Sequence, residues 1–167
     1  IYILQTKCLI NAAGIFSAEI AKLIDKTRQL DIQYIKGEYY SYSGKEQINH
    51  LIYPVPGKLS LGLHATLDLG RGIKFGPSAV ETKKLDYKVE EENKKDFLKS
   101  LQHYWPSIQE SNLAPDYSGI RAKVRGAEDF NIEKLDSKNK IAINIIGYIS
   151  PGLSLIHISE PTRHTRI

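Results

Sequence analysis

Two side chains in this sequence are the best suited to handling an organic acid: Arg121, in "SGIRAKVRG", and His64, in "LGLHAT". An arginine projecting from a strand near glycine presents a rigid fork that grips a carboxylate through two parallel hydrogen bonds. The same pattern also arises where a strand arginine simply faces water. A histidine inside an otherwise apolar strand takes up a proton near neutral pH and serves as a base. A structural histidine satisfied within the core has the same flanking residues. Tyr39, Tyr40 and Tyr53 offer phenolic hydroxyls to a ligand, on segments where tyrosine is in any case a common strand residue. The stretch Asn11-Ala12-Ala13-Gly14 closes an apolar run just before a helical pattern. Small residues there let a ligand approach the backbone, and a helix start supplies free N–H groups; close helix–strand packing would select the same residues.

The elements that must position these groups follow from periodicity. "KCLINAA" is a short apolar run and reads as a buried strand. Helical spacing of Ile15, Ile20, Leu23 and Ile24 predicts a helix within "IFSAEIAKLIDKTRQL". "IQYIKGEYYSYS" reads as a strand with Gly37 as a kink or bulge. "HLIYPVPGKLSLGLHATLD" reads as two strands joined by a Pro-Gly turn, and "GIKFGPSAVE" as one further short piece. "EENKKDFLKSLQHYW" places Phe97, Leu98 and Leu101 on one helical face. Pro106 interrupts that helix, and "PSIQESNL" can open another. "DYSGIRAKVRG" and "KIAINIIG" read as strands. The order is a βα start, a strand-rich middle, a helix and closing strands, an α/β (α+β) pattern.

Composition narrows the function classes. With 167 residues, 41% hydrophobic and 25% charged, the chain can bury a core and is not of a disordered type. Its formal net charge of +4 comes from scattered Lys and Arg, not from a basic stripe interleaved with aromatics, so no nucleic-acid partner is expected. The single cysteine, Cys8, excludes an intrachain disulfide and a cysteine-based metal site, and no metal is expected. No run is apolar enough to cross a membrane and no signal peptide is visible, so the expected location is cytoplasmic or peripherally membrane-associated. The sequence contains no methionine and starts within a strand-like run, as a fragment would.

"INAAG", "KGEYY", "HLIYPVP", "LGLHAT", "FGPSAVE", "GIRAKVRGAEDFNI" and "INIIGYISPGLS" occur in this order. Together they make the chain resemble the L-2-hydroxyglutarate oxidase/dehydrogenase family, within the D-amino-acid-oxidase-like FAD-dependent oxidoreductases. The match runs from about Cys8 to Gly152.

The resemblance implies a fragment made mostly of the strand-rich substrate domain, with parts of the FAD domain. Residues 1–30 are expected in the FAD-binding domain, 31–125 in the substrate-binding domain, and 126–152 back in the FAD-binding domain. It implies FAD contacts at Ala13 and Gly14 and at Ser150, Pro151 and Gly152. It implies Arg121 near the substrate carboxylate and matches His64 to a histidine of the family; His64 is the candidate catalytic base, and Tyr39 and Tyr53 are candidate substrate contacts. A second cation for a distal carboxylate is expected among Arg71, Lys123 and Arg125. The implied reaction is oxidation of a small-molecule 2-hydroxy acid, L-2-hydroxyglutarate first, to the 2-oxo acid, with the electrons passing to a separate acceptor. An amine or amino-acid oxidase of the glycine/sarcosine type shares the fold, and a noncatalytic ligand-binding or interaction domain is the alternative from another class.

The sequence departs from the family pattern in three places. Ala122 stands where proline usually follows the arginine, and Ile149 where an acidic residue usually precedes Ser-Pro-Gly. The strand–GxGxxG–helix unit that grips the FAD pyrophosphate is not in this sequence. After Gly152 the family continues with a helix rich in Thr, Ala and Ser. Here "LSLIHISEPTR" instead reads as a translated sequencing adapter, so residues 153–167 are expected to be a non-native tail without function.

Overall fold

The computed structural model describes residues 2–45, 47–55, 62–137 and 140–148. The elements are β1 (Cys8–Asn11), α1 (Ser17–Ile24), β2 (Ile32–Tyr42), β3 (His64–Leu67), β4 (Ile73–Gly76), β5 (Val80–Thr82), α2 (Lys94–Leu101), β6 (Leu113–Val124), β7 (Asn131–Ser137) and β8 (Lys140–Ile146). Short 3-10 turns cover Gly14–Phe16, Glu91–Asn93 and Glu110–Asn112. The chain divides into two compact units, one of Ile1–Gln33 with Ala122–Ile167 and one of Tyr34–Arg121. Among the described residues no helix is long and apolar enough to cross a membrane.

The first unit carries a three-stranded sheet in the order β1-β8-β7. β1 runs parallel to β8, with Asn11 opposite Asn144, and β7 forms an antiparallel hairpin with β8. β7 was not expected from the sequence. Its residues "NIEKLDS" lack the β-branched and aromatic run that marks a strand, and pairing with the apolar β8 supplies the strand instead. α1 is shorter than its periodicity predicts. Asp25 turns extended at the C-cap, and its carboxylate accepts bonds from the Thr27 amide (2.9 Å) and hydroxyl (2.7 Å). That local turn competes successfully with another helical turn.

The second unit is a five-stranded sheet in the order β3-β4-β2-β5, with β6 pairing to β2. Register assigns each side chain a face. Tyr40 lies opposite Phe75 and Phe75 opposite Ala65, so these three share one face. Phe97 and Leu101 of α2 pack on it, spaced i, i+4 as an amphipathic helix requires, together with Ile108 and Leu113. The rings of Tyr40 and Phe97 lie 4.5 Å apart, and Tyr40, Phe75 and Leu101 are fully buried. Each such side chain contributes about 1.5–3 kcal/mol. Ser41, Lys74, Gly76, His64 and Thr66 fall on the opposite face by the same register.

Several local expectations change. "IKFGPSAVE" forms two strands, β4 and β5, because Pro77 has no N–H to carry the ladder across the junction. Gly37 is no kink. It sits inside β2 because a Cβ there would stand 2.8 Å from the Pro77 side chain. The first half of "HLIYPVPG" supplies only an isolated bridge from Ile52 to Ala65, and the predicted Pro-Gly turn lies outside the described residues. After Pro106 only the 3-10 turn forms, not a second helix.

Candidate functional site

The face of the second unit turned away from α2 collects the sequence-predicted substrate residues. His64 is 7% exposed, on β3. The Ile52–Ala65 bridge brings Tyr53 alongside His64, and the two rings lie 4.0 Å apart, tilted by 39°. Tyr39, half-buried on β2, stacks on Tyr117 of β6 at 4.5 Å and 16°. A Cβ on Gly76, the residue paired with His64, would meet the Tyr39 ring at 2.6 Å, so Tyr39 lies directly over Gly76. Burial pushes the Tyr39 hydroxyl up, as does the neighbouring Tyr117 phenol; the Arg121 guanidinium pulls it down, and Tyr53 adds a small upward push. Arg121, Tyr39, Tyr53 and Tyr117 are therefore electrostatic neighbours. Arg121 is half-buried and, among the described residues, has no hydrogen bond or ion pair.

Sequence reasoning missed three members of this face, Tyr117, Lys74 and Gly76. Tyr117 and Arg121 are four apart on β6, which puts them on one side of a strand. Lys74 lies between the inward-facing Ile73 and Phe75, so alternation alone turns it outward. Its ammonium sits 5.1 Å from the Tyr117 ring centroid and 2.8 Å from the Asp116 carboxylate. The Asp116 hydrogen bond raises its pKa, with desolvation opposing. Gly76 was legible only as a boundary residue. Tyr40, expected to offer its hydroxyl to a ligand, points to the helix side and donates to the Glu90 carbonyl (2.5 Å).

A cleft of about 680 Å³ also opens on the helix side, lined by Glu38, Leu63, Pro77, Asn93, Phe97 and Tyr104 among others. Its buried acid is already saturated. Glu38 accepts from Asn93 (2.7 Å), the Glu90 amide (3.4 Å) and Lys36 (3.1 Å). Arg121 and His64 lie on the opposite face.

In the first unit, the turn after β1 is held from beneath. Buried Asn11 donates to the Ser17 carbonyl (2.8 Å) and to Asn144 Oδ1 (2.9 Å), and accepts from the Ala13 amide (3.3 Å). Ala12, Ala13 and Gly14 remain exposed. Gly14 has φ +58°, and no heavy atom lies within 4 Å of where its Cβ would stand. That open, side-chain-free backbone fits the flank of a planar cofactor such as FAD. A pyrophosphate grip would need the GxGxxG unit, which is not in this sequence. Ser150, Pro151, Gly152 and the tail 153–167 lie outside the described residues.

The chain is 31% identical over 166 residues to the mitochondrial L-2-hydroxyglutarate dehydrogenase of Arabidopsis thaliana, covering 87% of this chain and 34% of that protein. It is 35% identical over 159 residues to the L-2-hydroxyglutarate dehydrogenase of Indibacter alkaliphilus, covering 71% and 40%. The chain thus spans well under half the length of these relatives. Its fold is similar to that of the dithionite-reduced L-alpha-glycerophosphate oxidase from Mycoplasma pneumoniae with FAD bound, with TM-score 0.72, 21% identity and 87% of this chain covered against 38% of that one. The family profile described as FAD dependent oxidoreductase matches residues 2–159, nearly the whole sequence, and the chain belongs to that family.

Proposed function

We propose that this chain is the substrate-binding part, with a portion of the cofactor-binding part, of an FAD-dependent enzyme that oxidises a 2-hydroxy acid, L-2-hydroxyglutarate in particular, to the 2-oxo acid. The observation that carries this reading is Arg121: a half-buried guanidinium with no carboxylate among the described residues, beside Tyr39 and on a unit that also presents His64. A buried cation is stable only when its charge is met, and a substrate carboxylate meets it through two parallel bonds. The phenols of Tyr39 and Tyr53 lie within the same neighbourhood and supply further donors. His64 takes the hydroxyl proton as general base. Its ring lies in tilted contact with Tyr53, which limits its orientation. FAD, when bound, supplies the hydride acceptor, and Ala13 and Gly14 are the described residues that would flank it. Ser150, Pro151 and Gly152 belong to the same proposed contact. Electrons leave to a separate acceptor, and the enzyme works in the cytoplasm or at a membrane surface. The names of the two relatives support the choice of substrate.

The test is Arg121→Lys in the full-length enzyme that carries this chain. It keeps the charge and loses the fork. A charge-assisted bond is worth about 1.5–3 kcal/mol, so kcat/KM for L-2-hydroxyglutarate should fall roughly ten- to a hundred-fold. Bound flavin, read from the visible spectrum, should be unchanged. Near-normal kcat/KM would overturn the anchor assignment.

A further inference from the structure

We propose that Lys74 is a specificity-determining residue, the second cation that makes this site select 2-hydroxy dicarboxylic acids over monocarboxylic ones. The inference rests on the reading of Arg121 as the carboxylate anchor. Lys74 lies opposite Thr66 and Ser41 in register, on the face that carries His64 and Gly76. Its ammonium stands 5.1 Å from the Tyr117 ring centroid, Tyr117 stacks on Tyr39 at 4.5 Å, and Tyr39 feels the Arg121 charge. One aromatic pair therefore has a cation at each of its two members.

Three other cations already have partners of their own. Arg71 donates to Asn49 Oδ1 (2.8 Å) and the Ile48 carbonyl in the turn before β4. Arg125 pairs with Asp31 (3.0 Å). Lys36 is committed to Glu38 on the helix side.

Lys74 already holds Asp116 at 2.8 Å, which positions it without exhausting it. An ammonium carries three donors, and one carboxylate oxygen occupies one of them. The side chain is about a quarter exposed, so a ligand reaches the rest.

The experiment compares kcat/KM for 2-hydroxyglutarate and 2-hydroxypentanoate, which share a carbon chain and differ by one carboxylate. Wild type, Lys74→Met and Lys74→Arg are measured in the full-length enzyme. Lys74→Met should lower the diacid-to-monoacid ratio by about ten- to a hundred-fold, the worth of one charge-assisted bond. Lys74→Arg should restore most of it. An unchanged ratio, or an equal fall for both acids, overturns the assignment of Lys74 while leaving Arg121 as the anchor. A wild type that oxidises neither acid overturns the 2-hydroxy-acid reading and this inference with it.

Discussion

Gly76→Ala is the substitution whose cost can be worked most directly from the structure. Gly76 has φ +147°, a backbone region that residues with a side chain rarely enter. Holding a non-glycine residue there costs about 1–3 kcal/mol. The added Cβ would also stand 2.6 Å from the Tyr39 ring and 2.7 Å from the Glu38 carbonyl oxygen. The carbonyl belongs to the centre of β2 and cannot yield, so overpacking adds about 1–3 kcal/mol. A total of about 3 kcal/mol, against a slope near 2 kcal/mol/M, moves the urea midpoint down by about 1.5 M. The assay is urea unfolding followed by tyrosine and tryptophan fluorescence, with Gly70→Ala as control, since a Cβ at Gly70 comes no closer than 3.4 Å to its neighbour. A midpoint for Gly76→Ala within the error of the control would refute the strain and contact reasoning. It would also remove the explanation of how Tyr39 is seated over Gly76.

Two further outcomes concern stability, beside those given for Arg121 and Lys74. Burial pushes the Tyr40 phenol up to about 12, with Glu38 adding to it, and burial pushes Tyr104 to about 12, from an ordinary 10.0. The unfolded chain gives up these protons first, so the stability they carry is complete below pH 10 and is lost as pH rises from 10 to about 12. Thermal melts across that range should fall less steeply in Tyr40→Phe, and parallel slopes would count against the shift. Asn11→Asp keeps the acceptor for the Ala13 amide but turns a carboxylate oxygen toward the Ser17 carbonyl. Asn144 Nδ2, buried without a partner among the described residues, can rotate to meet the new charge, so the loss should stay at about 1–3 kcal/mol. Adding Asn144→Leu removes that relief, and the double variant should lose more than the two single losses together; simple additivity would refute the coupling.

The candidate site residues of this protein were legible in the sequence to different depths, for physical reasons that differ residue by residue. His64, Arg121, Tyr39 and Tyr53 could be named because residue type advertises chemistry: a lone histidine in an apolar strand and an arginine near glycine are uncommon enough to notice. Strand and helix identity came through wherever burial enforces a period, as along β2 and on the Phe97–Leu101 face of α2. β7 did not come through, because its strand character belongs to its partner β8 and not to its own residues. The early end of α1 escaped because a side-chain turn at Asp25 is worth no more than a helical turn until both are compared in place.

What only the tertiary structure decided is which chemical groups meet. Lys74 and Arg121 are far apart in the chain, and nothing local links them. A two-residue period says that Lys74 and Phe75 face opposite ways, but not which way holds α2. Once Phe75 packs under Phe97 and Leu101, Lys74, Gly76 and His64 are committed to the other face, with Tyr39 over Gly76 and Tyr117 on Tyr39. Residue chemistry is written in one dimension. Its convergence is set by strand register, because a single-residue slip would exchange the two faces and turn the apolar core into the site.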